Sequence, residues 1–173
     1  MSSSLLGFCL VYLTHYFSLE PAEFHRELFD EIENPLNRFL EVIGFRGSAK
    51  STIGSLALPL WAALEKPNEY EFIIPIADTS IQSGLNIANI KNELDHNDLL
   101  RQDYGRIEIA GPSDKTPEDP TFKTDEEWQA KNMLLSTGVR ILGRSRGQKV
   151  RGIRHLQHRP KLVVCDDVED LKW

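Results

Sequence analysis

The segment Gly44-Phe45-Arg46-Gly47-Ser48-Ala49-Lys50-Ser51-Thr52 constrains the fold of this chain more than any other. It matches the pattern G-x-x-x-x-G-K-[ST], with Ala49 in place of the second glycine. A tight turn of this kind points consecutive backbone N–H groups inward, where they cradle phosphate oxygens. A helix starting at its end adds a positive dipole terminus. Lys50 then reaches the β and γ phosphates, and the Ser51 hydroxyl ligates Mg²⁺. Ala49 is tolerable there if its φ is not strongly positive, because its side chain is small. The flanks fit this reading. Arg38–Ile43 (RFLEVI) alternates and is rich in branched residues, which predicts a strand. Ser51–Leu64 predicts an apolar helix that Pro59 bends or weakens.

The rest of the chain alternates in the same way. Residues 4–17 and 21–33 predict two helices. Glu71–Ala77 (EFIIPIA) predicts a buried strand, with Pro75 arguing for an irregular or edge position. Asp78-Thr79-Ser80 is an N-cap cluster for a helix from about 80 to 101. Gly111–Asp125 is polar and proline-rich, a loop. Met133–Leu135 and Val139–Leu142 flank Ser136-Thr137-Gly138 as a β-hairpin. Gly143–Pro160 reads as a basic loop, and Leu162–Cys165 as a third buried strand with Cys165 as a small core residue. This alternation predicts an α/β chain with a largely parallel sheet flanked by helices. Its organisation is a helical segment over 1–37 and a nucleotide-binding core over 38–173.

Lys161-Leu162-Val163-Val164-Cys165-Asp166-Asp167-Val168-Glu169-Asp170 runs an apolar strand into carboxylates. In phosphate-loop ATPases this pattern carries the first carboxylate, here Asp166, to the metal. The second, Asp167, polarises the attacking water as a general base, with Glu169 as its rival.

Charge is informative in its distribution. The net charge is −6. Yet Trp128–Cys165 holds nine Lys and Arg and no Asp or Glu, while the remainder carries a net of −15. An acidic total therefore does not exclude a nucleic-acid partner. Arg144, Arg146, Lys149, Arg151 and Arg154 are candidates for tracking DNA phosphates or for reaching the nucleotide of a neighbouring subunit. His155 and His158 have i, i+3 spacing, but no third ligand lies near them in sequence, so a metal site is rejected. Two distant cysteines, Cys9 and Cys165, give no disulfide framework. The apolar run Leu5–Leu13 is too short for a membrane span and lacks a basic leader.

Four segments together resemble one family: Gly44–Thr52, Ile76–Gln82 (IADTSIQ), Ile90–Asn97 (IKNELDHN) and Gly147–Asp170 (GQKVRGIRHLQHRPKLVVCDDVED). The chain resembles the N-terminal ATPase domain of the phage terminase large subunit, the motor that packages DNA into a prohead. The likeness covers most of residues 20–170. It implies a RecA-like P-loop NTPase core, incomplete at its C-terminus. It also implies ATP and Mg²⁺ as ligands, and ATP hydrolysis coupled to double-stranded DNA translocation in the bacterial host cytoplasm. Portal protein, small terminase subunit and a homo-oligomeric ring are the implied partners, with no membrane. The family's nuclease domain and remaining ATPase strands lie beyond the point where this chain stops, so slow ATP turnover is expected of the chain alone. The resemblance makes Gly44, Arg46, Gly47, Ser48, Ala49, Lys50, Ser51 and Thr52 nucleotide-binding residues, with Arg46 sensing the γ-phosphate. It places His25 where the family contacts adenine. The alternatives are another RecA-like nucleic-acid motor, or a non-catalytic remnant that binds nucleotide or DNA only.

Overall fold

The computed structural model describes residues 4–107, 109–110 and 130–168. Helices α1 (Leu5–Tyr12) and α2 (Glu23–Glu33) come first. Helix α1 starts where the Ser4 hydroxyl accepts the Gly7 N–H, and it ends five residues short of expectation. The Asn97 amide takes its terminal carbonyl, on Tyr12, at 2.7 Å. A helical run follows the Gly-rich turn in three pieces: α3 (Lys50–Thr52), a π-helical turn (Ile53–Ala57) and α4 (Leu58–Glu65). Pro59 sits in the first turn of α4, where a missing N–H costs least. The irregularity expected at Pro59 is taken up by the wider π turn just before it.

The sheet is mixed. Its strands are β1 (Phe72–Ala77), β2 (Ile109–Ala110), β3 (Asn132–Leu135), β4 (Arg140–Leu142), β5 (Arg144–Ser145) and β6 (Leu162–Asp166). Strands β4 and β5 lie parallel to β1 on one side, and β6 lies parallel on the other. Strands β2 and β3 extend the β4 side antiparallel, so the expected hairpin forms with Met133 opposite Ile141. Between β1 and β2 run α5 (Ser80–His96) and α6 (Asp98–Tyr104). The Thr79 hydroxyl caps α5 through the Gln82 N–H at 3.1 Å. The single long helix expected there breaks at Asn97, whose side chain accepts the Leu100 N–H and starts a new helix.

Of the two positions expected for Pro75, irregular or edge, the structure takes the first: it lies in the middle of the sheet, beside a break in the ladder. The register explains why this works. Glu71 and Ala77 accept bonds from Arg140 and Arg146, while Phe72 accepts from Lys161. Odd-numbered residues of β1 therefore bond toward β4 and β5, and even-numbered ones toward β6. The N–H that Pro75 lacks belongs to the β4–β5 side, opposite Gly143 in the same register. The ladder breaks there, which divides residues 140–145 into two short strands. The missing donor would have met the Leu142 carbonyl; the Gly143 N–H points to the other side, toward β3, and donates to the Lys131 carbonyl at 2.7 Å.

Two expectations fail at the other side of the sheet. Residues 38–43 form no strand and leave Phe39 and Ile43 about nine-tenths or more exposed. Among the described residues β6 pairs only with β1, so its other edge stays open; Arg38, Leu40 and Val42 line a cavity beside it with Val163 and Cys165 instead of joining it as a strand. For the same reason Cys165 is exposed rather than core. The loop expected at Gly111–Asp125 lies outside the described residues.

One apolar core holds Leu5, Phe8 and Phe29 of the N-terminal helices together with Trp61, Ile73, Ile87 and Ile141. A second small cluster, Phe72, Ile74 and Leu142, is covered by Val150 and Ile153 of the basic loop. Helix α5 packs directly on the β4–β5 break. A Cβ on Gly143 would stand 2.8 Å from both Ile87 Cγ1 and Ser83 Oγ. Gly143→Ala is therefore expected to cost about 1–3 kcal/mol. Thermal melting followed by circular dichroism should show a fall of several degrees; an unchanged Tm contradicts this packing.

Candidate nucleotide site

The Gly-rich turn closes over residues 45–48 through a Ser48 N–H bond to the Phe45 carbonyl at 3.3 Å. Gly47 has φ +87° and Ala49 has φ +58°, ψ +10°. Ala49 thus adopts the left-handed conformation that the consensus glycine would take without strain, which corrects the expectation of an ordinary φ. The Ser48 hydroxyl is buried inside the turn, and no protein group bonds it. An inward, unpartnered hydroxyl suits a loop that receives phosphate oxygens. The Lys50 ammonium lies 3.5 Å from the Phe45 carbonyl, folded back along the turn. Arg46 is exposed at the tip.

The turn is held from the N-terminal side by a residue that sequence reasoning treated only as a family contact. His25 Nδ1 accepts the Ala22 N–H at 3.1 Å. That leaves Nε2 as the protonated nitrogen, which donates to the Ser48 carbonyl at 3.1 Å. The Phe24 ring meets Phe45 edge-on, with centroids 5.4 Å apart.

Residues far apart in sequence converge at the C-terminal end of the parallel strands. Asp166 is the register partner of Ala77. Ser51 Oγ donates to Asp166 Oδ1 at 2.9 Å, and Ser55 Oγ donates to Oδ2 at 2.9 Å. Both hydroxyls lie on one face of the helical run, four residues apart. The expected metal pair, Ser51 and Asp166, is therefore brought together, and Ser55 joins it unforeseen. Asp167 follows with φ +47°, a conformation uncommon for a residue with a Cβ. Residue Glu169 lies outside the described residues.

Ser51, Thr52, Ser55, Asp166 and Asp167 form one wall of a cavity of about 550 Å³. Asp78, Thr79, Gln82, Asn86 and Asn89 at the start of α5 complete its lining, with Tyr16. Sequence reasoning saw Asp78 and Thr79 only as a capping cluster, since nothing in linear order connects them to the Gly-rich turn.

No family model, curated protein or solved structure matches this chain. Among the described residues no helix is long and apolar enough to cross a membrane.

The basic candidates separate. Arg144 is fully buried, so it cannot meet DNA phosphates or a neighbouring subunit. Its place on β5 beside Ile76 puts it inside the fold. Lys149, Arg151 and Arg154 are exposed. Arg146 is tied to the strand end: its N–H bonds the Ala77 carbonyl at 2.9 Å, and its Nε lies 3.2 Å from Asp78 Oδ1. His155 and His158 owe their spacing to a pair of mutual backbone bonds of 2.9 and 2.8 Å. Burial pushes the His155 imidazole below its usual range, and the nearby Arg140 charge adds to this.

Left-handed Ala costs roughly 1–2 kcal/mol. Ala49→Gly relieves that strain while adding up to about 1 kcal/mol of unfolded-chain freedom. The net expectation is a gain of up to about 1 kcal/mol, or a Tm raised by roughly 2–4 °C for a chain of this size. A lowered Tm contradicts the left-handed assignment at Ala49.

Proposed function

We propose that the chain is the ATP-binding core of a terminase-type, double-stranded-DNA-packaging motor with a RecA-like P-loop arrangement. The observation that carries this reading is the Ser51–Asp166 hydrogen bond, 2.9 Å between residues 115 apart. A phosphate-loop serine and a strand-end carboxylate need that juxtaposition to share one metal ion. The buried, unpartnered Ser48 hydroxyl and the helix start at Lys50 support phosphate binding beside it.

In this reading Gly44, Arg46, Gly47, Ser48, Ala49, Lys50, Ser51 and Thr52 hold the nucleotide. Ser51 and Asp166 hold Mg²⁺, which would neutralise phosphate charge and orient the terminal group. Lys50 swings from the Phe45 carbonyl to the phosphates. Asp167 accepts the proton of the attacking water, and Arg46 meets charge developing on the γ-phosphate. Exposed Lys149, Arg151 and Arg154 face DNA or the nucleotide of a neighbouring subunit in a ring. Portal protein and small terminase subunit are the further partners of such a motor. A second reading, nucleotide binding with little turnover, is favoured by one observation. Residues 38–43, the expected strand before the loop, have no sheet partner to hold them.

A titration with a fluorescent ATP analogue tests the reading. The wild-type chain should bind it, and Mg²⁺ should tighten binding. Lys50→Ala should weaken it by roughly ten- to a hundredfold, or about 1.4–2.7 kcal/mol. No binding by the wild type, or equal binding by both proteins, contradicts the phosphate-loop assignment.

A further inference from the structure

Beside Ser51 and Asp166 the cavity is lined with amides. Thr79, Gln82, Asn86 and Asn89 fall on one face of α5 at spacings of three, four and three residues, and all line the same cavity. Gln82 Nε2 donates to Asn86 Oδ1 at 2.9 Å. Asn86 is 7 % exposed, so its own position is set by packing. Its Nδ2 is buried with no partner. In this arrangement the Gln82 amide is engaged through its nitrogen. The NH₂ is held by Asn86, and the Oε1 remains as an acceptor at the cavity.

Asp167, in its left-handed conformation, lines the same cavity. A water attacking a terminal phosphate needs one group to take its proton and a second acceptor to fix its lone-pair direction. We infer that Gln82, oriented by Asn86, positions the attacking water that Asp167 deprotonates. The inference rests on the ATPase reading and extends it to the α5 side of the cavity. The water gives a proton to the Asp167 carboxylate, its oxygen bonds the γ-phosphorus, and the bond from that phosphorus to the bridging oxygen breaks to release ADP. Gln82 accepts a hydrogen bond throughout and is neither protonated nor consumed. Asn86 acts only through Gln82.

The test needs no turnover. Mg·ADP affinity is measured by calorimetry with and without aluminium fluoride, which mimics the transferring phosphoryl group with its in-line water. The wild type should bind Mg·ADP more tightly when aluminium fluoride is present. Gln82→Ala and the similarly sized Gln82→Met should keep Mg·ADP affinity and lose that gain by about tenfold or more. Asn86→Leu should lose part of it. If both Gln82 variants retain the full gain, the inference is overturned. It is also overturned if the wild type binds Mg·ADP but gains nothing from aluminium fluoride. If the wild type binds no nucleotide, the ATPase reading fails, and this inference falls with it.

Discussion

Ala77 is the residue on which the site depends. It ends β1, a strand paired on both sides, opposite Ser145 on one flank and Asp166 on the other. Parallel register carries this alignment one residue further, so Arg146, Asp78 and Asp167 all leave the sheet at the same level. A one-residue slip in either ladder would turn its side chains to the opposite face and dissolve the constellation. The buried apolar side chains of Phe72, Ile73 and Ile74 oppose such a slip, because it would trade core contacts for solvent.

Asp166 fastens the helical run after the Gly-rich turn to this strand end. Hydrogen bonds to a charged carboxylate are worth about 1.5–3 kcal/mol each when removed from water, and less where solvent competes. Asp166 is half-buried, so its two serine bonds stabilise modestly but orient well. They occupy oxygen atoms that a cation would take, and the serines would then exchange a carboxylate partner for a metal. The π turn between Ile53 and Ala57 contributes to this arrangement, since Ser55 is within it. Such turns often mark functional positions in helices.

Much of this was legible in the residues. The loop, the acidic strand end, the hairpin at 132–142 and the Thr79 cap each carry a local signature. The α/β layering follows from their alternation, but the sheet is mixed rather than largely parallel, because β2 and β3 add antiparallel pairings beyond β4. What was not legible depended on partners. RFLEVI reads as a strand from its pattern, but pattern alone does not make a ladder: the segment lies beside the open edge of β6 across a cavity and pairs with nothing. Pro75 reads as an irregular or edge position, and it is tolerated centrally because its absent donor faces the break at Gly143. Arg144 reads as surface charge by its neighbours in sequence, whereas its strand position buries it. The α5 side of the site was invisible because Gln82 and Asn86 are ordinary helix residues until the fold sets them in one cavity with Asp167.

In the proposed function Ser51 and Asp166, hydrogen-bonded at 2.9 Å, would together hold one metal ion beside the Gly-rich turn. Electron paramagnetic resonance of Mn²⁺ titrated with ATP into the wild type and Asp166→Asn tests it directly. The wild type should show protein-bound Mn²⁺ only when nucleotide is present, and Asp166→Asn should lose that signal while still binding nucleotide. Nucleotide-dependent Mn²⁺ binding of equal strength in both proteins would contradict the account.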